Sequence, residues 1–193
     1  MEPSASTTTY LIEARSYRIA LAWCHNFWVL KNASLGTPVA ELHGLAYDRA
    51  TRRILPIGTT RHHSLRVFVF AHDPDYAETL GLPVGRTGMF ARSRARTVYA
   101  RADSLTRWKA AVSAMPALNQ LDLDYPPYGF NVLTATVNSN SVYRTLGEIM
   151  GVPVHAFRSF APGLRSRITG HDIANEHSQP QALSPRLDTR VRR

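Results

Sequence analysis

Residues 137–153 read VNSNSVYRTLGEIMGVP, and the fold is worked out from this stretch. Val142, Leu146, Ile149 and Met150 fall at offsets of 0, 4, 7 and 8, a spacing that lines one face of an α-helix. Gly151 and Pro153 follow as stop signals, since glycine takes the left-handed turn that ends a helix and proline cannot continue one. Asn138, Ser139, Asn140 and Ser141 sit at the other end. These residue types are favoured at helix starts because their side-chain oxygens accept from N–H groups that have no partner within the helix.

Working outward, Tyr125, Pro126, Pro127, Tyr128 and Gly129 predict a rigid turn, and residues 130–137 a short β-leaning run. Residues 104–115 predict a longer helix with Asp103 as its N-cap, its Leu105, Trp108, Val112 and Met115 recurring at helical spacing toward a core. A short helix is expected at 75–80, stopped by Gly81 and Pro83. The front half is β-rich: strands are expected at 17–23 and 27–30, interrupted near Cys24, His25 and Asn26, then at 39–45, 54–57 and 65–71. Turn residues between 32 and 38 make the second and third of these an antiparallel hairpin. The fold class is therefore α+β, a mainly antiparallel β-sheet packed against helices. The expected organisation is a flexible leader at 1–9, the α+β domain at 10–170 and a flexible basic tail at 171–193.

With 193 residues, 44% of them hydrophobic, the chain suits one domain with appendages. Cys24 is its single cysteine, which excludes an intrachain disulfide and reads as a small core residue. No basic stretch followed by an apolar run opens the chain, and no apolar run approaches the roughly 20 residues of a membrane span. A soluble protein in the producer's cytoplasm is expected, secreted if at all by a route without a cleaved signal peptide. The formal charge of +9 comes almost entirely from arginine, Lys31 and Lys109 being the only lysines. It suits nucleic acid, lipid headgroups, an anionic cell-wall polymer or an acidic partner protein. Arg86, Arg92, Arg94, Arg96, Arg101, Arg107 and Lys109 face only Asp103 within their stretch, which is either a solvated face or a binding patch. His62, His63, His72 and Asp73 lack a metal-binding partner motif, and Gly85 and Gly88 complete no nucleotide fingerprint, so neither metal nor cofactor is implied.

The candidate chemistry lies at the start of the 137–153 helix. Free N–H groups there stabilise negative charge, so a serine at that position sits beside a ready-made oxyanion site. Serine needs a base, and His25 and His43 lie on neighbouring predicted strands, where the second group can hold the first ring in its working tautomer. The rival reading makes Asn138, Ser139, Asn140 and Ser141 helix caps and His25 a satisfied buried histidine.

The runs CHNFWVL (24–30), AELHGLAYD (40–48) and YGFNVLTATVNSNSVYRTLGEIMG (128–151) together resemble a circularly permuted papain-like or NlpC-like domain. In such families a strand histidine precedes a nucleophilic cysteine set in an Asn-Cys-Asn motif at a helix start. The resemblance implies a permuted papain-like arrangement with Ser139 at the nucleophile position, His25 as base and His43 as the orienting residue. Serine in place of cysteine leaves either a serine hydrolase, an amidase or esterase, or an inactive relative. Sequences of this kind also look like bacterial antagonism effectors, which implies a cell-wall peptide or lipid substrate and an acidic immunity partner. Two alternatives stand beside this: a non-catalytic binding module of the same fold, and a basic nucleic-acid-acting toxin.

Overall fold

The computed structural model describes residues 9–20, 23–60, 62–130 and 136–168. Six strands, β1 (Tyr10–Ala20), β2 (Trp23–Asn32), β3 (Pro38–Asp48), β4 (Ile54–Leu55), β5 (His63–Ala71) and β6 (Arg94–Tyr99), form one open antiparallel sheet. Three helices accompany it: α1 (Pro74–Leu80), α2 (Ser104–Gln120) and α3 (Ser139–Met150). The order is β4-β3-β2-β1-β6, with β5 pairing along β3. β3 keeps β5 along one edge from Ala40 to Asp48, while its other edge pairs first with β2, at 38–42, and then with β4, at 46–47. Between those two pairings β2 and β3 part company, and the start of α3 enters there.

Strand alternation gives the sheet two different faces. Ile12, Ala14, Trp28, Leu30, Ala40, Leu42, Ala46, Leu65 and Val67 point toward α2 and α3 and form the apolar core with Trp108, Val142, Tyr143, Leu146 and Met150. Trp28 fixes α3 on this face: its ring stacks on Tyr143 at 4.3 Å, and its Nε1 donates to the Tyr143 carbonyl at 2.7 Å. Gly44 allows the helix this close, since a Cβ there would lie 2.5 Å from the Cβ of Val142. The intervening residues turn to the opposite face, where Phe27, Val29, Glu41 and His43 are fully buried and the Glu13 carboxylate pairs with Arg15 at 2.8 Å and Lys31 at 3.2 Å. Beneath α2 and α3 the first face is thus apolar, giving way to Ser16 and Asn26 toward the end where β1 leads into β2, and the other is a buried polar and aromatic layer.

Several sequence expectations change. β2 runs unbroken through Cys24, His25 and Asn26, beginning already at Trp23, and β1 spans Tyr10–Ala20 rather than beginning at 17. β6 emerges from the arginine-rich stretch as an edge strand, where charged side chains guard unpaired backbone against further pairing. α2 continues past Met115 and over Pro116 to Gln120, because Asn119 pins its last turn to β5 by accepting from Val67 N–H at 2.7 Å and donating to Val67 C=O at 3.0 Å. Asp103 stands before α2 without capping it; its carboxylate instead takes the Tyr99 hydroxyl at 2.8 Å and Arg107 at 2.7 Å. In α3, Ile149 is exposed, and the buried arc is centred on Val142, Tyr143, Leu146 and Met150. α1 and α3 end as expected on left-handed Gly81 and Gly151. Most of the β-leaning run at 130–137 and all of the 171–193 tail lie outside the described residues. Among the described residues no helix is long and apolar enough to cross a membrane.

Candidate functional site

The first turn of α3 divides its labour. Asn138 is the N-cap: its Oδ1 accepts from Asn140 N–H at 2.8 Å, and the Ser141 hydroxyl accepts from Asn138 N–H at 3.2 Å, closing a capping box. The Asn138 amide also donates to Gly129 C=O at 2.6 Å and Pro162 C=O at 2.9 Å. The Ser141 hydroxyl has the carbonyls of Thr136 and Gly163 within reach at 3.1 and 2.9 Å, so its proton is engaged in holding the helix start. Asn140 is no cap. Its side chain accepts from Asn26 N–H and donates to Cys24 C=O, both at 3.0 Å, taking the place of the strand that β3 no longer supplies. Strand N–H and C=O groups lie in the sheet plane, so this amide brings the helix start into the plane beside His25.

Ser139, the first residue inside the helix, is thereby released from capping. Its hydroxyl lies 3.5 Å from the phenol oxygen of Tyr125, and the Ser139 backbone also hydrogen-bonds that phenol. Burial holds the Tyr125 phenol above its ordinary value, so it stays protonated and able to donate.

From His25 a chain of hydrogen bonds runs through His43 to Glu41. His25 Nε2 meets His43 Nδ1 at 2.9 Å, and His43 Nε2 meets Glu41 Oε2 at 2.7 Å. Phe27 lies directly across from His43 and stacks on it at 4.2 Å, so the two histidines meet on the diagonal. Glu41 also accepts from His72 Nε2, from the Thr87 hydroxyl at 2.6 Å and from Thr87 N–H at 3.2 Å. Burial alone would raise the Glu41 carboxyl, but the hydrogen bonds from His43 and His72 together with the charge of His43 and the Thr87 bond bring it down to about 2. Burial lowers both His43 and His25 from the ordinary histidine value.

These directions settle the tautomers. A Glu41 carboxylate only accepts, so His43 Nε2 carries the proton and its Nδ1 accepts. His25 Nε2 must then donate, which leaves His25 Nδ1 with a bare lone pair. That nitrogen is buried and has no hydrogen-bond partner.

The structure therefore joins His25 to His43 and clamps the strand carrying His25 to the helix start carrying Ser139. No hydrogen bond joins Ser139 to His25; the Ser139 hydroxyl faces Tyr125 instead. Both groups are covered, Ser139 being 4% exposed and His25 0%. Sequence reasoning assigned no role to Tyr125 or Thr87; their signals were a tyrosine ahead of a Pro-Pro turn and a threonine in a loop, neither of which points at a distant strand. Of the other residues weighed as metal ligands, His63 Nδ1 accepts from Thr59 N–H at 3.0 Å, His72 serves Glu41 and Asp73 caps α1, and no metal-binding group forms among the described residues. Cys24 is buried and faces away from His25, as strand alternation requires.

The arginine-rich stretch also divides. Arg107 is structural, bonded to Asp103, Tyr99 and the carbonyls of Met150 and Gly151. Arg92 and Arg94 line a cavity of about 370 Å³ with Arg18, Arg158, Ser16, Cys24, Ser159 and Phe160. Comparison of the chain with family models, with curated proteins and with solved structures finds no match.

Proposed function

We propose that the chain is an acyl hydrolase, an amidase or esterase of permuted papain-like arrangement, in which Ser139 is the nucleophile and His25 the general base. The observation that carries the reading is the lone pair on His25 Nδ1, set free by the Glu41–His43–His25 chain on a strand that the residue after Ser139 grips. Ser139 Oγ attacks the carbonyl carbon while His25 Nδ1 takes its proton. The carbonyl oxygen becomes the oxyanion, within reach of Ser139 N–H and the Tyr125 hydroxyl. His25 then returns the proton to the leaving nitrogen or oxygen as the tetrahedral intermediate collapses, and water releases the acyl group by the same steps in reverse order. Glu41 and His43 act as positioning residues: they fix the tautomer and stabilise the imidazolium that forms. Because Ser139 is covered, a substrate gains access only when the groups above it move aside. A bacterial effector acting on cell-wall peptide or lipid, restrained in its producer by an acidic partner, is the setting this chemistry fits.

A second reading is a non-catalytic module of the same fold, favoured by the burial of Ser139 and by its hydroxyl facing Tyr125 rather than His25. A fluorophosphonate probe separates the two without knowledge of the substrate. The hydrolase reading expects one covalent adduct by intact mass, mapped to Ser139 and absent from Ser139→Ala and His25→Ala. No adduct on the folded protein, together with no turnover of an ester and amide panel, leaves the binding-module reading in its place.

A further inference from the structure

The cavity beside Cys24 is built for a negative charge. Its rim carries four arginines, Arg18, Arg92, Arg94 and Arg158, all exposed and none in an ion pair among the described residues. Four guanidinium groups around one cavity repel one another, an arrangement that an anion relieves. Its floor is formed by Ser16 and Cys24, both buried, and by Ser159, whose buried hydroxyl has no hydrogen-bond partner. Asn26 is paired with Ser16 across β1 and β2 and projects from the same face; it is fully buried, and neither atom of its amide has a partner. Leaving such groups unsatisfied is costly in a finished core and ordinary in a site awaiting a ligand.

The wall of this cavity is also the wall of the candidate active site. Cys24 N–H donates to Phe160 C=O at 3.1 Å and Cys24 C=O accepts from Asn140, so Phe160 and Cys24 line the cavity while holding the strand segment that carries His25. Pro162 C=O accepts from the same Asn140 amide at 3.0 Å, tying the 159–163 segment to the residue after Ser139.

We propose that this cavity binds an oxyanion group, a carboxylate or a phosphate, of the acyl substrate that Ser139 attacks. The substrate class is thereby narrowed to acidic acyl compounds; this extension rests on the hydrolase reading, but the anion site is tested separately. Planar and tetrahedral oxyanions both suit arginine forks, and the volume of about 370 Å³ accommodates the charged group with its nearest substituents.

The test is calorimetric titration of the full chain, as wild type and as Ser139→Ala, with inorganic phosphate, N-acetylalanine and the neutral N-acetylalaninamide. Saturable binding of phosphate, N-acetylalanine or both is expected in both proteins, with none for the amide. Phosphate alone points to a phosphorylated substrate, the carboxylate to a peptide end or side chain. Arg94→Gln and Arg158→Gln should each weaken binding by about tenfold, the loss of one charge-assisted hydrogen bond, while Arg53→Gln, exposed in the loop before β4 at the other end of the sheet order from β6, should leave it unchanged. Binding of neither anion, or binding equal in wild type and an Arg94→Gln/Arg158→Gln double variant, overturns the proposal. Anion binding alongside hydrolysis that survives Ser139→Ala would keep the cavity as an anion site and remove the Ser139 reading.

Discussion

Glu41→Gln places the whole histidine chain under test, because the amide has nearly the carboxylate's shape but half its accepting capacity. The wild-type carboxylate takes four donors: His43 and the Thr87 hydroxyl on Oε2, His72 and Thr87 N–H on Oε1. An amide must turn its NH₂ toward one of these pairs. Facing Thr87 N–H, it leaves two donors opposed in a buried site. Facing His43, it forces that ring to accept at Nε2 and carry its proton on Nδ1, which in turn obliges His25 to accept at Nε2 and protonate Nδ1. The second arrangement relieves the clash by removing the lone pair from His25 Nδ1. One or two unmet buried donors at roughly 1–3 kcal/mol each give a stability loss of about 2–4 kcal/mol, readable by urea denaturation. Hydrolysis should fall by a factor on the order of 10⁴, as for a triad held in the wrong tautomer. The decisive assay is ¹⁵N detection of the His25 imidazole near neutral pH: the proton sits on Nε2 in the wild type, and shifts to Nδ1 in whatever fraction of the variant adopts the second arrangement. A wild-type protein with His25 protonated on Nδ1 would refute the reasoning outright.

Three further outcomes can be measured. Stability should decline on acidification in two stages: below about pH 6.5, as the unfolded chain protonates His25 and His43 while the fold holds them neutral, and then from 4.5 toward about 2, as Glu41 gives up about 3 kcal/mol; Glu41→Gln should show a shallower second stage in a pH series of denaturation midpoints, the remainder coming from Asp48, Asp103 and Asp122, which the fold also holds below their ordinary values. Ser139→Ala should cost under about 1 kcal/mol, since Asn138 and Ser141 cap the helix, whereas Asn138→Ala should cost about 2 kcal/mol or more; equal losses in calorimetry would return Ser139 to the role of a cap. Gly163 has φ +82°, and a Cβ on it would lie 2.3 Å from Asn138 Oδ1, while Gly36 has φ +67° with nothing within 4 Å; Gly163→Ala should therefore cost about 2–4 kcal/mol and Gly36→Ala about 1 kcal/mol, and similar melting temperatures would show that the 161–164 turn does not seal the helix start.

Local chemistry made much of this legible in the sequence. The stop at Gly151, the helix at 75–80, the strand through 39–45 and the pairing of His25 with His43 all follow from period, turn residues and hairpin geometry. What failed did so where a distant contact outweighed a local signal. Asn26 looks like a strand breaker, but Asn140 accepts from its backbone N–H and β1 runs alongside in unbroken register, so the strand continues. Pro116 looks like a helix end, yet Asn119 rewards continuation by gripping β5. Arg94 and Arg96 hide a strand because an edge strand exposes one side to water. At the site, Tyr125 arrives through its place beside β5, where its N–H donates to His63 C=O, and Thr87 through a loop, and neither connection leaves a trace in spacing.

The grip of Asn140 on β2 also makes the site report on itself. In a sheet the Asn26 amide hydrogen would be shielded by a neighbouring strand and released only by large-scale unfolding. Here it is shielded by one side chain, at the point where the helix carrying Ser139 meets the strand carrying His25. Any excursion that moves the start of α3 away from β2 must break that bond. The hydrogen-exchange rate of a single backbone amide is therefore a clock for opening of the site, readable without substrate and distinct from the slower exchange of the Trp28–Leu42 ladder beside it.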